Sequence, residues 1–335
     1  MSELPYASGT PPLVARLRST PEDFRVDEIL GYDAEGSGEH ALLWVEKRGA
    51  NTDWVARELA KFAGVSPVAV GYAGLKDRHA VTRQMFSVQL AGKPDPDWST
   101  FPHEEVKVLA ATRHSRKLKR GALRGNRFVL VLREVQGDHA AAEQVLAAIA
   151  SRGVPNYFGE QRFGREGRNV EQARAMFGGR RVDRDRRSML LSAARSHIFN
   201  QVLAARVERG AWDCPLDGEI WSLAGSRSWF GPEPFDEVLA ERLARGDIHP
   251  SGPLWGQGEP PSQGEAGELE RTIGAANEDL IAGLAAARMD QERRPLRLIP
   301  KDLAWRWLDD SSLELAFELP AGAYATVVVR ELANV

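Results

Sequence analysis

One stretch of the chain, residues 71–84, contains the residue types that can do chemistry. Its single carboxylate, Asp77, stands between the cations Lys76 and Arg78. Neighbouring cations favour the ionised form of a carboxylate, and an ionised aspartate held in this way suits a nucleophile or an electrostatic catalyst. The alternative is a solvated loop aspartate among ordinary surface charges, because ion pairs of this kind are often structural.

The residues on either side of this stretch indicate how Asp77 is held. Apolar residues precede it at 68–70, and Met85, Phe86, Ser87 and Val88 follow it; these flanks are rich in the β-branched and aromatic types that are typical of strands. Gly71 and Gly74 can adopt backbone angles that other residues avoid, which predicts a turn. The sequence therefore predicts Asp77 on a loop between two strands.

The most basic segment, residues 113–127, contains no carboxylate. Clustered cations suit the phosphates of a nucleic acid, although a solvated basic loop has the same composition. Asn126 and Phe128 lie where this loop enters a predicted buried strand at 128–132. There an amide can read a base edge and a ring can stack on the base, but Phe128 fits a core position equally well. The cations assigned here to an RNA backbone are Arg116, Lys117, Lys119 and Arg120.

Two further segments carry arginines. Residues 153–164 interleave glycines and aromatic residues with Arg162, a mixture that can clamp a nucleotide chain or form a tightly packed turn. Arg162 is therefore a further candidate contact to an RNA backbone. A second cationic run at 180–187 is diluted by Asp183 and Asp185.

The order of the predicted elements indicates the domain organisation. Strand patterns dominate the first part of the chain, apart from a helix that begins at Asn51 or Thr52 and ends at Gly64. The helices predicted in the middle of the chain are 139–151, 170–177, 188–209, 235–245 and 268–293. A long loop is predicted at 249–267, and strand patterns return after residue 296. One sheet-based domain interrupted by an inserted helical domain explains this order economically.

Composition sets limits on the class of protein. With 335 residues, 43% of them hydrophobic, the chain can bury a full core and is long enough for two domains. The net charge of −3 argues mildly against nucleic acid, so RNA binding must depend on local clusters. The single cysteine, Cys214, excludes an internal disulfide, and no Cys/His spacing resembles a zinc site. Without a signal peptide or a long apolar run, we expect a soluble cytoplasmic protein with no membrane association.

The sequence Gly-Leu-Lys-Asp-Arg-His-Ala-Val-Thr-Arg-Gln at 74–84 resembles the signature of the TruD family of tRNA pseudouridine synthases, in which the aspartate is catalytic. Other segments resemble family hallmarks and occur in the family's order, so the resemblance covers nearly the whole chain. These segments are 21–24, 121–126, 153–159, 191–195 and 325–331.

The resemblance implies an α+β fold with two domains in a V-shaped arrangement. The pseudouridine-synthase catalytic domain, a mixed β-sheet flanked by helices, would comprise residues 1–153 and 300–335. The inserted TRUD domain, a mostly helical α/β domain, would comprise residues 154–299. The implied reaction is the isomerisation of uridine 13 of tRNA to pseudouridine, with tRNA in the cleft and with no cofactor or metal. No coiled coil or apolar seam is visible, which predicts a monomer.

The resemblance also implies roles for individual residues. Asp77 matches the nucleophile, and Arg18 falls where the family carries a basic partner for the aspartate, often lysine. Phe24 matches a residue that contacts the target uridine. Asn126 matches one that contacts the base or positions Asp77, and Phe128 matches an aromatic wall.

Two more residues belong to the predicted substrate-binding set. Lys76 is next to the nucleophile, and Tyr324 falls where some members carry phenylalanine beside the target base. The tyrosine keeps the stacking face, but its hydroxyl is a departure. Asp77 or Tyr324, acting through water, are candidates for removing the C5 proton after the new bond forms.

Three alternatives stay open from the sequence. A non-catalytic RNA-binding protein could keep the cleft without the chemistry, and a synthase could act on a different RNA. A hydrolase with paired carboxylates is the third alternative, since four acidic residues occur at 22–28. Turn and strand-surface roles explain those four more simply: Glu22, Asp23, Asp27 and Glu28.

Overall fold

The structure, a computed structural model, describes residues 4–335 apart from the side chain of Arg165. The α-helices are α1 (Thr52–Phe62), α2 (His139–Arg152), α3 (Asn169–Phe177), α4 (Arg184–Glu208), α5 (Glu237–Arg245), α6 (Gly264–Ala275), α7 (Glu278–Ala286) and α8 (Ala325–Leu332). The strands up to the middle of the chain are β1 (Leu13–Leu17), β2 (Phe24–Leu30), β3 (His40–Arg48), β4 (Val70–Tyr72), β5 (Val81–Gln89), β6 (Val106–His114), β7 (Leu123–Gly137) and β8 (Val154–Pro155). The remaining strands are β9 (Trp221–Leu223), β10 (Trp229–Phe230), β11 (Ile248–Leu254), β12 (Glu292–Pro295), β13 (Arg297–Leu298), β14 (Lys301–Asp309), β15 (Ser312–Pro320) and β16 (Ala333–Asn334).

The chain divides into two compact units. The first, called here the sheet unit, comprises residues 13–138, 300–322 and 334–335. The second, called here the helical unit, comprises residues 4–12, 139–299 and 323–333. The helical unit therefore includes α2 and α8 besides the predicted insertion. The predicted boundaries at 153/154 and 299/300 remain predictions.

The sheet unit is built on one mixed sheet. Its strand order is β14-β15-β7-β2-β5-β3-β6, with β1 added to β7 and β4 added to β5. Only the β2–β5 pair in this order is parallel. Because β14 and β15 come from the end of the chain, both strand-rich regions of the sequence share one sheet.

Helix α1 covers one face of this sheet. It buries Val55 and Leu59, one turn apart, against inward-facing strand residues such as Leu43 and Phe86. This is the packing expected of an amphipathic helix, whose apolar residues recur every three or four positions. Helix α1 and the sheet together form the core that supports the loop between β4 and β5.

The helical unit contains an antiparallel sheet in the order β10-β9-β11-β12, a short β8–β13 pair and the remaining helices. The predicted single helix at 268–293 is wrong, because it breaks between α6 and α7 at Asn277. The side-chain amide of Asn277 donates a hydrogen bond from Nδ2 to the Ile273 carbonyl at 3.0 Å. Such local side-chain bonds compete with the backbone hydrogen bonds that would continue the helix.

The long loop predicted at 249–267 is also wrong, because β11 occupies its first residues. Proline cannot donate a hydrogen bond to a neighbouring strand, so Pro250 and Pro253 argue against a strand in this segment. In the structure, residues 248–250 pair with β9 and residues 251–254 pair with β12. Pro250 is therefore in register only with β9, and Pro253 only with β12. Within residues 4–335, no helix is long and apolar enough to cross a membrane.

Candidate active site

Asp77 lies on the loop of residues 73–80, between β4 and β5, which confirms the predicted strand–loop–strand order. The predicted bounds are wrong, because residues 67–69 form a 3-10 helix, β4 begins at Val70 and β5 begins at Val81. Its carboxylate oxygen Oδ2 accepts a hydrogen bond from Nη2 of Arg18 at 2.8 Å. The Asp77 side chain is 59% exposed and that of Arg18 is 35% exposed. The carboxylate is therefore oriented by a cation and is still accessible to a substrate.

Arg18 connects Asp77 to an aromatic ring. It follows β1 directly and has a backbone φ of 64°, a conformation that residues other than glycine rarely adopt. Its guanidinium carbon lies 4.1 Å from the ring centre of Phe24. This cation–π contact and the ion pair together fix the position of the guanidinium.

The aromatic residues of the site form a row across three neighbouring strands. The Phe24 and Phe128 ring centres are 6.3 Å apart, and those of Phe128 and Phe317 are 5.6 Å apart. All three side chains are buried. The rings therefore give the sheet a rigid apolar face beside Arg18, and the predicted contacts of Phe24 and Phe128 with a base remain predictions.

The residue before Asp77 is held by a buried ion pair. Lys76 Nζ lies 2.7 Å from Oε2 of Glu28 on β2, and the two side chains are only 6% and 0% exposed. The strand-surface role expected for Glu28 is wrong, because Glu28 shares the buried side of β2 with Phe24 and Val26. The predicted contact between Lys76 and substrate remains a prediction.

Asn126 stands directly opposite Glu28 in the register of β2 and β7. Its Oδ1 atom is buried and has no hydrogen-bond partner among the described residues. A buried acceptor without a donor costs free energy, but the protein covers this atom, so a ligand N–H group could bond to it only if neighbouring side chains moved. The predicted role of Asn126 in contacting a base remains a prediction.

Further residues that the sequence analysis missed fix the loop backbone. The Lys76 amide donates to Oγ1 of Thr52 at 3.0 Å, and the Gln84 amide group donates to the Gly74 carbonyl at 3.1 Å. The Thr52 hydroxyl in turn donates to Oε1 of Gln84 at 2.9 Å. Thr52 and Gln84 are both buried, so the loop is attached to α1 and β5 through the interior.

Lys47, at an inward position of β3, was also missed. Its Nζ donates to the carbonyls of Ala50 at 2.7 Å, Asp77 at 2.9 Å and Lys76 at 3.4 Å. The side chain is fully buried. Desolvation lowers the pKa of Lys47 to about 8, although the Asp77 charge partly opposes this shift. The alternation that places Leu43 and Val45 inside could have identified it.

The basic loop, residues 115–122 between β6 and β7, presents its cations unequally. Arg116, Lys119 and Arg120 are exposed. Lys117 donates to the Val68 carbonyl at 2.5 Å, and Arg120 lies over the Tyr72 ring at 5.0 Å and donates to its hydroxyl at 2.7 Å. Arg116 and Lys119 are thus the exposed members of the predicted backbone set whose side chains form no hydrogen bond or ion pair within residues 4–335.

Arg162 and Tyr324 both belong to the helical unit and contact each other. Arg162 donates from Nη2 to the Tyr324 hydroxyl at 2.6 Å and from Nη1 to the Ser192 hydroxyl at 3.0 Å. Arg162 and Arg294 lie 5.5 and 4.1 Å from the ring centre of Phe158. Desolvation lowers the pKa of Arg294 to about 10. The predicted RNA contacts of Arg162 and Tyr324 remain predictions.

Comparisons with known proteins identify what the chain resembles. A family model described as tRNA pseudouridine synthase D (TruD) matches residues 2–179 and 171–332. The tRNA pseudouridine synthase D of Xanthomonas campestris pv. campestris strain 8004 is 56% identical over 99% of this chain and 95% of its own length. That of Methylococcus capsulatus is 51% identical over 98% of this chain and 94% of its own. A crystal structure of the putative tRNA pseudouridine synthase D (TruD) from Methanosarcina mazei, 22% identical, has a TM-score of 0.78 over 99% of this chain and 96% of its own, which confirms the predicted α+β fold.

Proposed function

This chain belongs to the tRNA pseudouridine synthase D (TruD) family, and from that membership we propose that it converts uridine 13 of tRNA to pseudouridine, with Asp77 as the catalytic carboxylate. The observation that carries the proposal is the Asp77–Arg18 pair, in which the Asp77 side chain is 59% exposed on a loop attached to the protein interior. An accessible carboxylate in a fixed position is what attack on a substrate or stabilisation of its charge requires.

The reaction is an isomerisation. The N1–C1′ bond of uridine breaks, the uracil turns, and C5 bonds to C1′. C5 then loses a proton and N1 gains one, so atoms and electrons balance without a redox partner. Asp77 acts either by attacking the sugar or base or by stabilising positive charge at C1′.

The surroundings of Asp77 suit a uracil taken out of its stack. A base inside a folded tRNA must be flipped out before an enzyme can act on it, and its pocket needs an apolar wall and hydrogen bonds to the base edge. The row of Phe24, Phe128 and Phe317 supplies a buried apolar wall. The unpaired Oδ1 of Asn126 would accept a hydrogen bond from an N–H of the base once the side chains that cover it move.

Pseudouridine mapping on unmodified tRNA transcripts tests this proposal directly. The wild-type chain is incubated with the transcripts and no added cofactor, and each uridine is assayed. We expect pseudouridine at position 13. Modification of another RNA only would support a synthase of different specificity, and tRNA binding without any product would favour a non-catalytic RNA-binding protein.

The exposed cations of the basic loop should contribute to tRNA affinity. We expect Arg116→Ala combined with Lys119→Ala to weaken binding to all tRNAs. The slope of log affinity against log salt should become shallower by about 1–2, because binding releases about one counterion fewer for each phosphate contact that is lost. The measurement is tRNA affinity at several salt concentrations.

A matched control is Lys61→Ala combined with Lys107→Ala, which changes the net charge equally at exposed lysines elsewhere in the sheet unit. The control should keep the wild-type slope. An unchanged slope in the Arg116/Lys119 variant would mean that the basic loop does not contact phosphate.

A further inference from the structure

We propose that Lys47 is a positioning residue for Asp77, and that it acts by holding the backbone of the loop that carries the carboxylate. This inference builds on the proposed function, because it assigns a role within the same site. Lys47 does not contact the Asp77 carboxylate through a hydrogen bond. Its ammonium group instead donates to the main-chain carbonyls of Lys76 and Asp77.

The hydrogen bonds of Lys47 match what an ammonium can donate. A protonated lysine has three N–H donors and no acceptor, and Nζ of Lys47 has three carbonyl acceptors. Two of these carbonyls belong to Lys76 and Asp77, which are consecutive in the loop. The third belongs to Ala50, just before α1. One side chain of β3 therefore ties the Asp77 peptide to the start of the helix.

The cost of burying Lys47 argues against a purely structural role. The side chain is fully buried and forms no ion pair with a carboxylate in residues 4–335. Burying a charge without a paired countercharge is expensive, and hydrogen bonds to neutral carbonyls compensate for only part of that cost. Leu43 and Val45 fill the preceding inward positions of the same strand without this cost. An apolar residue at position 47 would fill the core at lower cost than Lys47. Only a side chain with hydrogen-bond donors can hold the three carbonyls in place.

The other loop contacts do not replace the bond to Asp77. Thr52 and Gln84 hold Lys76 and Gly74, and Glu28 holds the Lys76 side chain. Lys47 is the residue whose side chain bonds the Asp77 carbonyl itself. Without it, the Asp77 peptide can rotate while the residues before it stay in place. Displacements of about 1 Å at a reacting group can lower a rate by about 100-fold.

The test uses the full chain with Lys47→Met, which keeps an unbranched side chain and removes all three donors. We expect the single-turnover rate of pseudouridine formation, at saturating enzyme, to fall about 100-fold. The tRNA dissociation constant should stay within about twofold, because the substrate contacts are retained. Amide hydrogen exchange should rise in residues 73–80 and stay unchanged in the central strands, a pattern that a general loss of stability would not give.

Two further variants complete the experiment. Lys93→Met is the matched control, because Lys93 also donates to a carbonyl of the sheet unit, that of Gly64 at 3.0 Å, away from Asp77. It should keep the wild-type rate. Lys47→Gln keeps an amide donor on a shorter side chain and should recover part of the lost rate.

The outcomes separate this inference from the proposed function. A wild-type rate in folded Lys47→Met, or failure of both Lys47 variants to fold, would overturn the positioning role and assign Lys47 to stability. If wild type itself makes no pseudouridine, the proposed function fails. The hydrogen-exchange comparison then still decides whether Lys47 holds the loop.

Discussion

Asp77→Asn is expected to make no detectable pseudouridine on a tRNA that the wild-type chain modifies, while binding that tRNA with similar affinity. Asparagine has the same size and can still accept a hydrogen bond from Arg18, so the geometry of the site should persist. The negative charge and the nucleophilic oxygen are lost, and removal of a catalytic group of this kind lowers rates by about four orders of magnitude or more. The measurement is single-turnover pseudouridine formation together with tRNA affinity.

The stability of this variant should hardly change. The Asp77–Arg18 pair is largely exposed, and exposed ion pairs contribute only about 0–1 kcal/mol to the free energy of unfolding. Asp95→Asn is a matched control, because Asp95 forms a similar pair with Arg113 at 2.8 Å on the same unit. The control should keep wild-type activity. An Asp77→Asn rate within about tenfold of wild type would contradict the catalytic role.

Local patterns were sufficient to predict how Asp77 is presented. The apolar flanks of residues 71–84 predicted a loop between strands, and β4 and β5 bound that loop in the structure. The glycines did not act as expected, because Gly71 lies within β4 and neither Gly71 nor Gly74 has a positive φ. Resemblance to a family, and not periodicity, paired Arg18 with Asp77, although they are 59 residues apart in sequence. Contacts over such separations depend on the order of strands in the sheet, which a local pattern does not contain.

The layer beneath the loop was missed for a different reason. Glu28 and Lys47 are charged residues at inward positions of alternating strands, and the alternation by itself would have indicated that both are buried. Charged residues usually lie at the protein surface, and for this reason Glu28 was assigned to the surface of its strand. Only the assembled sheet brings Lys76 to Glu28 and the loop carbonyls to Lys47, which makes both buried charges tolerable.

The site thus has two layers with different physical demands. Asp77 and Arg18 are exposed and can meet a substrate, so their contribution should appear in the reaction rate. Lys76 and Glu28 are buried, so their contribution should appear first in the stability of the fold. Variants of the two layers can therefore be distinguished by comparing activity, RNA affinity and unfolding in the same preparation.

Lys76→Met should lower the free energy of unfolding by about 3–5 kcal/mol, because removing one partner of a buried ion pair leaves the other charge buried and uncompensated. In this variant the Glu28 carboxylate would keep only the Met85 amide, whose nitrogen is 3.3 Å away. The double variant Glu28→Gln with Lys76→Met should recover most of the loss, since it removes the unpaired charge as well. Denaturant unfolding of the four proteins of this cycle gives the coupling energy.

The control for Lys76→Met is Lys61→Met, since Lys61 is 82% exposed and its nitrogen is 4.0 Å from Glu58. That change should alter the free energy of unfolding by less than about 1 kcal/mol. The same proteins also test the predicted substrate contact of Lys76. A large loss of stability with unchanged tRNA affinity would assign Lys76 to the support of the loop. Unchanged stability with weaker tRNA binding would instead mean that its ammonium leaves Glu28 and contacts RNA.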